Sequence, residues 1–120
     1  LDAQGDPIFV KGATGLAAIR SSDSSYIISP KAGELSVIYN GYLKKWMTIY
    51  QTGLNLIYRT ADKPWGTWSE AETIVTSESY EGLYGGFMNE QYTEQDGKVV
   101  YFCMSQWYLY NVRLMRLEFN

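Results

Sequence analysis

Residues 33–60 read GELSVIYNGYLKKWMTIYQTGLNLIYRT and contain three runs in which the side chains alternate in character. The runs are Glu34–Tyr39, Lys45–Tyr50 and Leu54–Arg59, with Asn40-Gly41 and Thr52-Gly53 between them. Alternation with period two is typical of β-strands, and Asn-Gly is a strong signal for a turn between antiparallel strands. This segment therefore predicts three antiparallel strands joined by short turns.

The same arrangement occurs a second time along the chain. Its runs are Tyr84–Glu90, Lys98–Met104 and Asn111–Glu118, and it begins 50 residues after the first. A repeat of about 40–50 residues built from antiparallel strands is typical of β-propeller blades, and a propeller has typically about 4–8 of them. The predicted fold class is all-β, with about two four-stranded antiparallel blades that form an incomplete ring in this chain.

The repeats predict the domain organisation. Residues 1–32 are interpreted as the end of a preceding blade and a linker, residues 33–80 as one blade, and residues 81–120 as a last blade of three strands. Glu72–Val75 is the predicted outer strand of the first blade, and the last blade lacks this strand. The faces of such blades are apolar, so we expect the remaining blades of the same protein, or another copy of this chain, to cover them.

The first segment has the least regular pattern. Short strands are predicted at Ile8–Val10 and Tyr26–Ser29, while Thr14–Arg20 fits either a strand or a single helical turn.

The composition excludes several classes of function. The net charge is −3 and no run of Lys and Arg occurs, so nucleic acid is not an expected partner. The chain contains no histidine, which removes Ser-His-Asp catalysis and His-ligated zinc. No apolar stretch is long enough for membrane insertion, and neither a metal site nor a cofactor is expected. The single Cys103 lies in the apolar run Val99–Met104, which predicts a buried, unreactive thiol.

Four stretches resemble a family of bacterial, mostly exported propeller proteins that is catalogued as a domain of unknown function. They are residues 33–46, 59–70, 82–88 and 104–115, which include the sequences PWGTWSE and GLYGGFM. The resemblance implies a five-bladed propeller related to glycoside hydrolases, of which some mycobacterial members are endo-acting on D-arabinan. It also implies an exported or cell-surface location, although the sequence from Leu1 shows no signal-peptide pattern. The four stretches resemble the carboxy-terminal part of the family only. Such propellers usually place a catalytic Asp on the amino-terminal blades, and we expect these blades to be absent from this sequence.

Propeller geometry predicts which residues share one face of the ring. The innermost strand of a blade starts at one face, and the turn between the second and third strands returns to it. Glu34 should therefore lie at the same mouth as a group of aromatic and amide side chains. That group is Tyr84, Gln106, Trp107, Tyr108, Tyr110 and Asn111. Aromatic rings cover the apolar face of a sugar, and polar side chains bond its hydroxyls, so we expect a polysaccharide ligand.

Glu34 is the candidate catalytic carboxyl group, because glycoside hydrolysis requires carboxyl groups on both sides of the scissile bond. The alternative is a structural carboxylate that bonds backbone N–H groups or an arginine such as Arg59. Glu90 lies six residues into its strand and so towards the wrong end. Trp107 and Tyr110 fit either sugar contact or packing between blades. Three functions stay open: a glycoside hydrolase, a non-catalytic glycan-binding propeller, and a structural or protein-interaction module.

Overall fold

The computed structural model describes residues 1–9, 11, 12, 15, 17, 27, 28 and 32–120. Within residues 32–120 it consists of seven β-strands and one 3₁₀ turn at Gln95–Gly97. The strands are β1 (Leu35–Asn40), β2 (Lys45–Thr52), β3 (Asn55–Ala61), β4 (Glu72–Thr76), β5 (Leu83–Glu94), β6 (Val99–Gln106) and β7 (Asn111–Glu118). β1–β4 form the first sheet and β5–β7 the second, each in sequence order and antiparallel throughout. Residues 32–120 therefore have an all-β fold of two antiparallel sheets, and these sheets do not close into a ring.

The alternation in the sequence corresponds to the two faces of the first sheet. Met47 and Ile49 of β2 lie on the face that packs in the core, and both are fully buried. Thr48 and Tyr50 point to the opposite face, where Tyr50 pairs with Leu35 of β1. Within residues 33–120, the number, order and antiparallel pairing of the strands agree with the sequence prediction. Most strand ends differ from it by one or two residues, and β1 begins at Leu35, directly after Glu34.

The two sheets pack face to face, and their inner faces form one hydrophobic core. The first sheet contributes Ile38, Met47, Ile49, Leu56 and Val75; the second contributes Leu83, Met88, Val100, Phe102 and Met104. β5 lies against β1 and β2 of the first sheet. This packing brings the starts of β1 and β5 together, which positions the site described below.

A bulge in β5 lets the two sheets approach closely. The pairing of β5 with β6 shifts between Tyr84 and Gly86, and Gly85 has a φ of +61°. The Ser36 hydroxyl accepts a hydrogen bond from the Met88 N–H at 2.8 Å and donates to the Gly86 carbonyl at 3.3 Å. A bulge leaves backbone groups outside the strand ladder, and Ser36 supplies their partner from the other sheet. Adjacent glycines in a strand are typical of a bulge or of close backbone approach, and Gly85-Gly86 shows both.

The structure corrects three predictions in the strands and the first segment. β5 continues to Glu94 instead of ending at Glu90, because a second irregularity between Met88 and Thr93 lets it pair again with β6. Ile8 and Phe9 are exposed and lie outside any strand. Ile27 and Ile28 lie in a bend. Short apolar runs of this kind form strands only where a neighbouring strand pairs with them. Val10, Tyr26, Ser29 and most of residues 14–20 lie outside the described residues.

Cys103 is exposed, so the prediction of a buried thiol is wrong. Its neighbours Phe102 and Met104 point into the core, while Cys103 lies on the outer face of the second sheet. There it pairs with Phe87 and Leu114, which are also exposed. An apolar strand with hydrophobic residues on both faces does not reveal from sequence which face is covered.

No helix among the described residues has the length and apolar character needed to cross a membrane.

Candidate functional site

One end of the paired sheets carries two clefts, and we call it the cleft end. It is formed by the turn between β2 and β3, the connection between β4 and β5, and the turn between β6 and β7. The inter-sheet cleft has a volume of about 510 Å³ and is lined by Gln51, Leu54, Ser77, Glu81, Gly82, Leu83, Tyr84 and Trp107. The turn cleft has a volume of about 280 Å³ and is lined by Tyr84, Ser105, Gln106, Trp107, Tyr110, Asn111 and Val112. Tyr84 and Trp107 line both clefts and so form the ridge between them.

Glu34, directly before β1, and Tyr84 of β5 are brought together. The Tyr84 hydroxyl donates a hydrogen bond to the Glu34 carboxylate at 2.9 Å. The backbone N–H of Glu34 itself, and then the Tyr84 hydroxyl, lower the pKa of this carboxyl below its ordinary value of 4.5. The same hydrogen bond, followed by the negative charge of Glu34, raises the pKa of Tyr84. Glu34 is therefore ionised at neutral pH and acts as a hydrogen-bond acceptor beside the ridge.

Trp107 belongs to the turn between β6 and β7 and exposes 61% of its surface. Its ring meets that of Tyr108 edge to face, with centroids 5.7 Å apart. Tyr108 is also exposed but lines neither cleft. Tyr110 is 96% exposed and has a φ of +50°, which sets the sharp reversal of the chain before β7. Of the predicted aromatic residues, Tyr84, Trp107 and Tyr110 therefore face the clefts.

The two predicted amide side chains differ in their surroundings. Gln106 is only 5% exposed, and both ends of its amide are engaged inside the protein. It donates to the Glu81 carbonyl at 2.9 Å and accepts from Nε of Arg113 at 2.6 Å. Asn111 lines the turn cleft, and its buried Oδ1 has no hydrogen-bond partner. The Asn111 Oδ1 is therefore unbonded but enclosed by the protein, whereas both groups of the Gln106 amide are bonded.

The structure adds residues to the site that the sequence analysis did not assign to it. Ser77, Glu81 and Gly82 come from the connection between β4 and β5. Gln51 lies near the end of β2 and Leu54 in the β2–β3 turn, the turn that propeller geometry predicts at the same mouth as Glu34. Nothing in the sequence of residues 77–82 indicates a cleft, because their position depends on how the connection folds back across the end of the second sheet. Among the described lining residues of both clefts there is no Lys or Arg.

The other carboxylates considered from the sequence lie elsewhere. Glu90 is exposed in the second half of β5, past the bulge, whereas Tyr84 lies at its start. Arg59, the proposed structural partner of Glu34, instead donates to the Ser69 carbonyl at 3.2 Å. The described residues contain no group of three or more His, Cys, Asp and Glu side chains that would hold a metal ion.

The turns at the opposite end of the sheets also join the two sheets. Asn40 is almost fully buried and donates to the Gly97 carbonyl at 2.8 Å. The Tyr42 N–H donates to the Asp96 carbonyl at 2.6 Å. At that end, polar groups of the two turns therefore bond each other, whereas the cleft end has open space between its turns.

The fold and the site define an all-β protein with two face-to-face antiparallel sheets and an aromatic, carboxylate-bearing pair of clefts at one end. The chain belongs to the family described as Domain of unknown function (DUF4185), whose model matches residues 18–116. No curated protein matches it.

Proposed function

We propose that the two sheets are adjacent blades of a β-propeller and that the cleft end binds a cell-surface polysaccharide. The observation that carries this proposal is the ridge of Tyr84 and Trp107, an aromatic pair with a cleft on each side. A sugar ring stacks its apolar face on such a ridge, while its hydroxyl groups reach the polar side chains around it. We also propose that the protein is exported, so that it meets this polysaccharide outside the cell.

The polar groups around the ridge supply acceptors for sugar hydroxyls. The carboxylate of Glu34 accepts a hydrogen bond from Tyr84 and, at this exposed position, keeps further acceptor capacity. A carboxylate has lone pairs for about four hydrogen bonds, and here the backbone N–H of Glu34 and the Tyr84 hydroxyl are donors to it. Hydroxyl donors are therefore the chemical groups that complete this site.

The charge of the clefts favours a neutral polysaccharide over an acidic one. The lining includes Glu81, and the Glu34 carboxylate lies beside it, while the described lining residues carry no basic side chain. A uronate group in these clefts would face like charges without a counter-ion, and this repulsion costs binding free energy.

Hydrolysis of the glycan is the second candidate, and the ionised Glu34 beside the clefts favours it. The lowered pKa of Glu34 suits a nucleophile, a base or a stabilising carboxylate, and it does not suit the proton donor. In a hydrolase the proton donor would be a different carboxyl group, supplied by another blade.

Binding is tested by affinity electrophoresis of the native protein through gels that contain soluble arabinan, dextran or polygalacturonate. We expect arabinan or dextran to retard the protein, and polygalacturonate to leave its mobility unchanged. Trp107→Ala should weaken this binding about tenfold or more, because it removes the central aromatic contact.

Tyr92→Ala is the matched control for Trp107→Ala. Tyr92 is 59% exposed, almost as much as Trp107, but lies on the outer face of the second sheet away from the clefts. The proposal fails if neither neutral polysaccharide binds, or if Trp107→Ala and Tyr92→Ala bind alike. Glu34→Gln then separates the two functions: loss of arabinan cleavage with retained binding identifies a hydrolase, and retained binding in a protein without cleavage identifies a binding module.

A further inference from the structure

Arg113 lies on β7, outside both clefts, yet it is linked to their aromatic ridge through a short chain of contacts. Its Nε donates a hydrogen bond to Oε1 of Gln106 at 2.6 Å. The amide nitrogen of Gln106 then donates to the carbonyl of Glu81 at 2.9 Å. We call these three residues the clamp. It ties β7 and the end of β6 to the connection between β4 and β5.

The clamp is held in a fixed position by its surroundings. The guanidinium carbon of Arg113 lies 5.5 Å from the centroid of the Tyr80 ring, a cation–π contact. Gln106 is nearly buried and pairs across the sheet with Leu83, a core residue. The Gln106 amide oxygen accepts from Arg113 and its amide nitrogen donates to a backbone carbonyl. Only one orientation of the side chain makes both hydrogen bonds.

The ridge residue Trp107 follows Gln106 directly in the chain. The Trp107 N–H donates to the carbonyl of Gly82 at 2.9 Å, next to the carbonyl that Gln106 holds. Gly82 has a φ of +68°, and a methyl group there would lie 3.2 Å from Cβ of Tyr108 and 3.3 Å from Nε1 of Trp107. The turn that carries Trp107 is thus packed directly on the loop that the clamp secures.

We propose that Arg113 is a positioning residue for the cleft end: through Gln106 and Glu81 it holds the Trp107 turn in place over the inter-sheet cleft. The expected effect on polysaccharide binding rests on the proposed function. The position of the Trp107 turn can be measured without a ligand. If the Trp107 turn became ordered only when the ligand binds, the lost conformational entropy would weaken binding. The clamp orders the turn before the ligand binds and so removes this cost.

The test compares Arg113→Met with Arg116→Met. The two substitutions are identical and lie on the same strand, but Arg116 pairs with Glu118 at 2.7 Å and lies on the outer face. The first readout is acrylamide quenching of the fluorescence that Trp107 contributes, taken as the difference between each protein and its Trp107→Phe counterpart. We expect Arg113→Met to raise the quenching of Trp107 about twofold, and Arg116→Met to leave it unchanged.

The second readout is the retardation of the same proteins by arabinan and dextran. Arg113→Met should weaken binding about tenfold, the loss typical of a hydrogen bond to a charged group. If Arg113→Met does not fold, Arg113→Lys replaces it, since lysine keeps a charge over Tyr80 but lacks the Nε–H that bonds Gln106. Quenching and binding equal to those of Arg116→Met would refute the positioning role. Loss of Trp107 order in a protein that binds no polysaccharide would instead uphold the clamp and refute only the proposed ligand.

Discussion

The hydrogen bond between Glu34 and Tyr84 joins two residues that are 50 positions apart in the chain. Glu34 sits directly before β1 and Tyr84 is the second residue of β5, so the bond ties together the starts of β1 and β5. Because the backbone N–H of Glu34 and the Tyr84 hydroxyl both stabilise its ionised form, folding and ionisation of this carboxyl are linked.

The linkage predicts an acid-side loss of stability. The pKa of Glu34 in the folded chain is below its ordinary value of 4.5, so its ionisation stabilises the fold fully above that pH. The contribution disappears as the pH falls from 4.5 through the lowered value. Glu34→Gln should therefore flatten the dependence of the urea midpoint on pH as the pH falls below 4.5. Glu70→Gln, which alters an exposed loop carboxylate, is the control; a midpoint profile of Glu34→Gln identical to that of the unaltered chain would contradict the linkage.

At the scale of the elements, the bulge of β5 decides how closely the sheets pack. A methyl group at Gly86 would lie 2.6 Å from Cγ2 of Ile49 and 3.2 Å from Cδ2 of Leu56, both in the first sheet. Its φ is outside the left-handed region, so the requirement for glycine here is one of space and not of backbone conformation. β5 can therefore lie against β1 and β2 only because this position carries no side chain.

Gly86→Ala should destabilise the protein by about 1–3 kcal/mol, the usual cost of inserting a methyl group into a packed core. The measurement is the free energy of unfolding in urea. The matched double variant Gly86→Ala/Ile49→Ala tests the cause, because removing the Ile49 branch opens the space that the new methyl group needs. The sum of the losses in unfolding free energy of the two single variants should then exceed the loss of the double variant. Strict additivity would mean that Gly86 and Ile49 do not compete for the same space.

At the scale of the whole molecule, both outer sheet faces carry exposed apolar rows. Leu35, Val37 and Tyr39 form one on the first sheet, and Phe87, Cys103 and Leu114 form the other on the second. Contiguous apolar surface of this kind is typical of an interface. We propose that further sheets of the same kind cover both faces, as neighbouring blades do in a propeller.

The native mass of the 120-residue chain tests this proposal. We expect the 13.7 kDa chain to assemble through its outer faces, so that light scattering after size exclusion gives a multiple of this mass. Leu114→Glu, at a residue 68% exposed within the second row, should shift the assembly towards the single chain. Leu109→Glu places the same charge on the exposed β6–β7 turn and should leave the mass unchanged. A folded single chain at all concentrations, with or without these substitutions, would rule out assembly through the outer faces.

Much of the fold was predictable because strands and turns are local features. The alternation in Lys45–Tyr50 and the turn at Thr52-Gly53 predict β2 and its reversal into β3, and the run Asn111–Glu118 coincides with β7. Where the alternation is interrupted, as in the second half of β5, the sequence places the end of the strand too early. A bulge shifts the pairing without leaving a clear mark in the hydrophobic pattern, apart from the glycine pair at Gly85-Gly86.

The candidate site was predictable only in part. The position of Glu34 and Tyr84 at equivalent points of the two repeats predicts their proximity, and the structure joins them by a hydrogen bond. The same argument places Gln106 at the mouth but does not show that its amide is saturated by Arg113 and Glu81. Contacts between a strand end and a loop 25 residues away depend on the path of that loop, which no local pattern encodes.

The sequence by itself determined an all-β chain of two repeated units, because side-chain alternation and turn residues act over a few neighbours. Only the tertiary structure decided which face of each strand is covered, and this is why Cys103 is exposed beside two core residues. It also decided that Arg113 bonds Gln106, the residue directly before the turn that carries Trp107. Burial and hydrogen-bond partners arise from the packing of one sheet on the other, and that packing joins residues far apart in the chain.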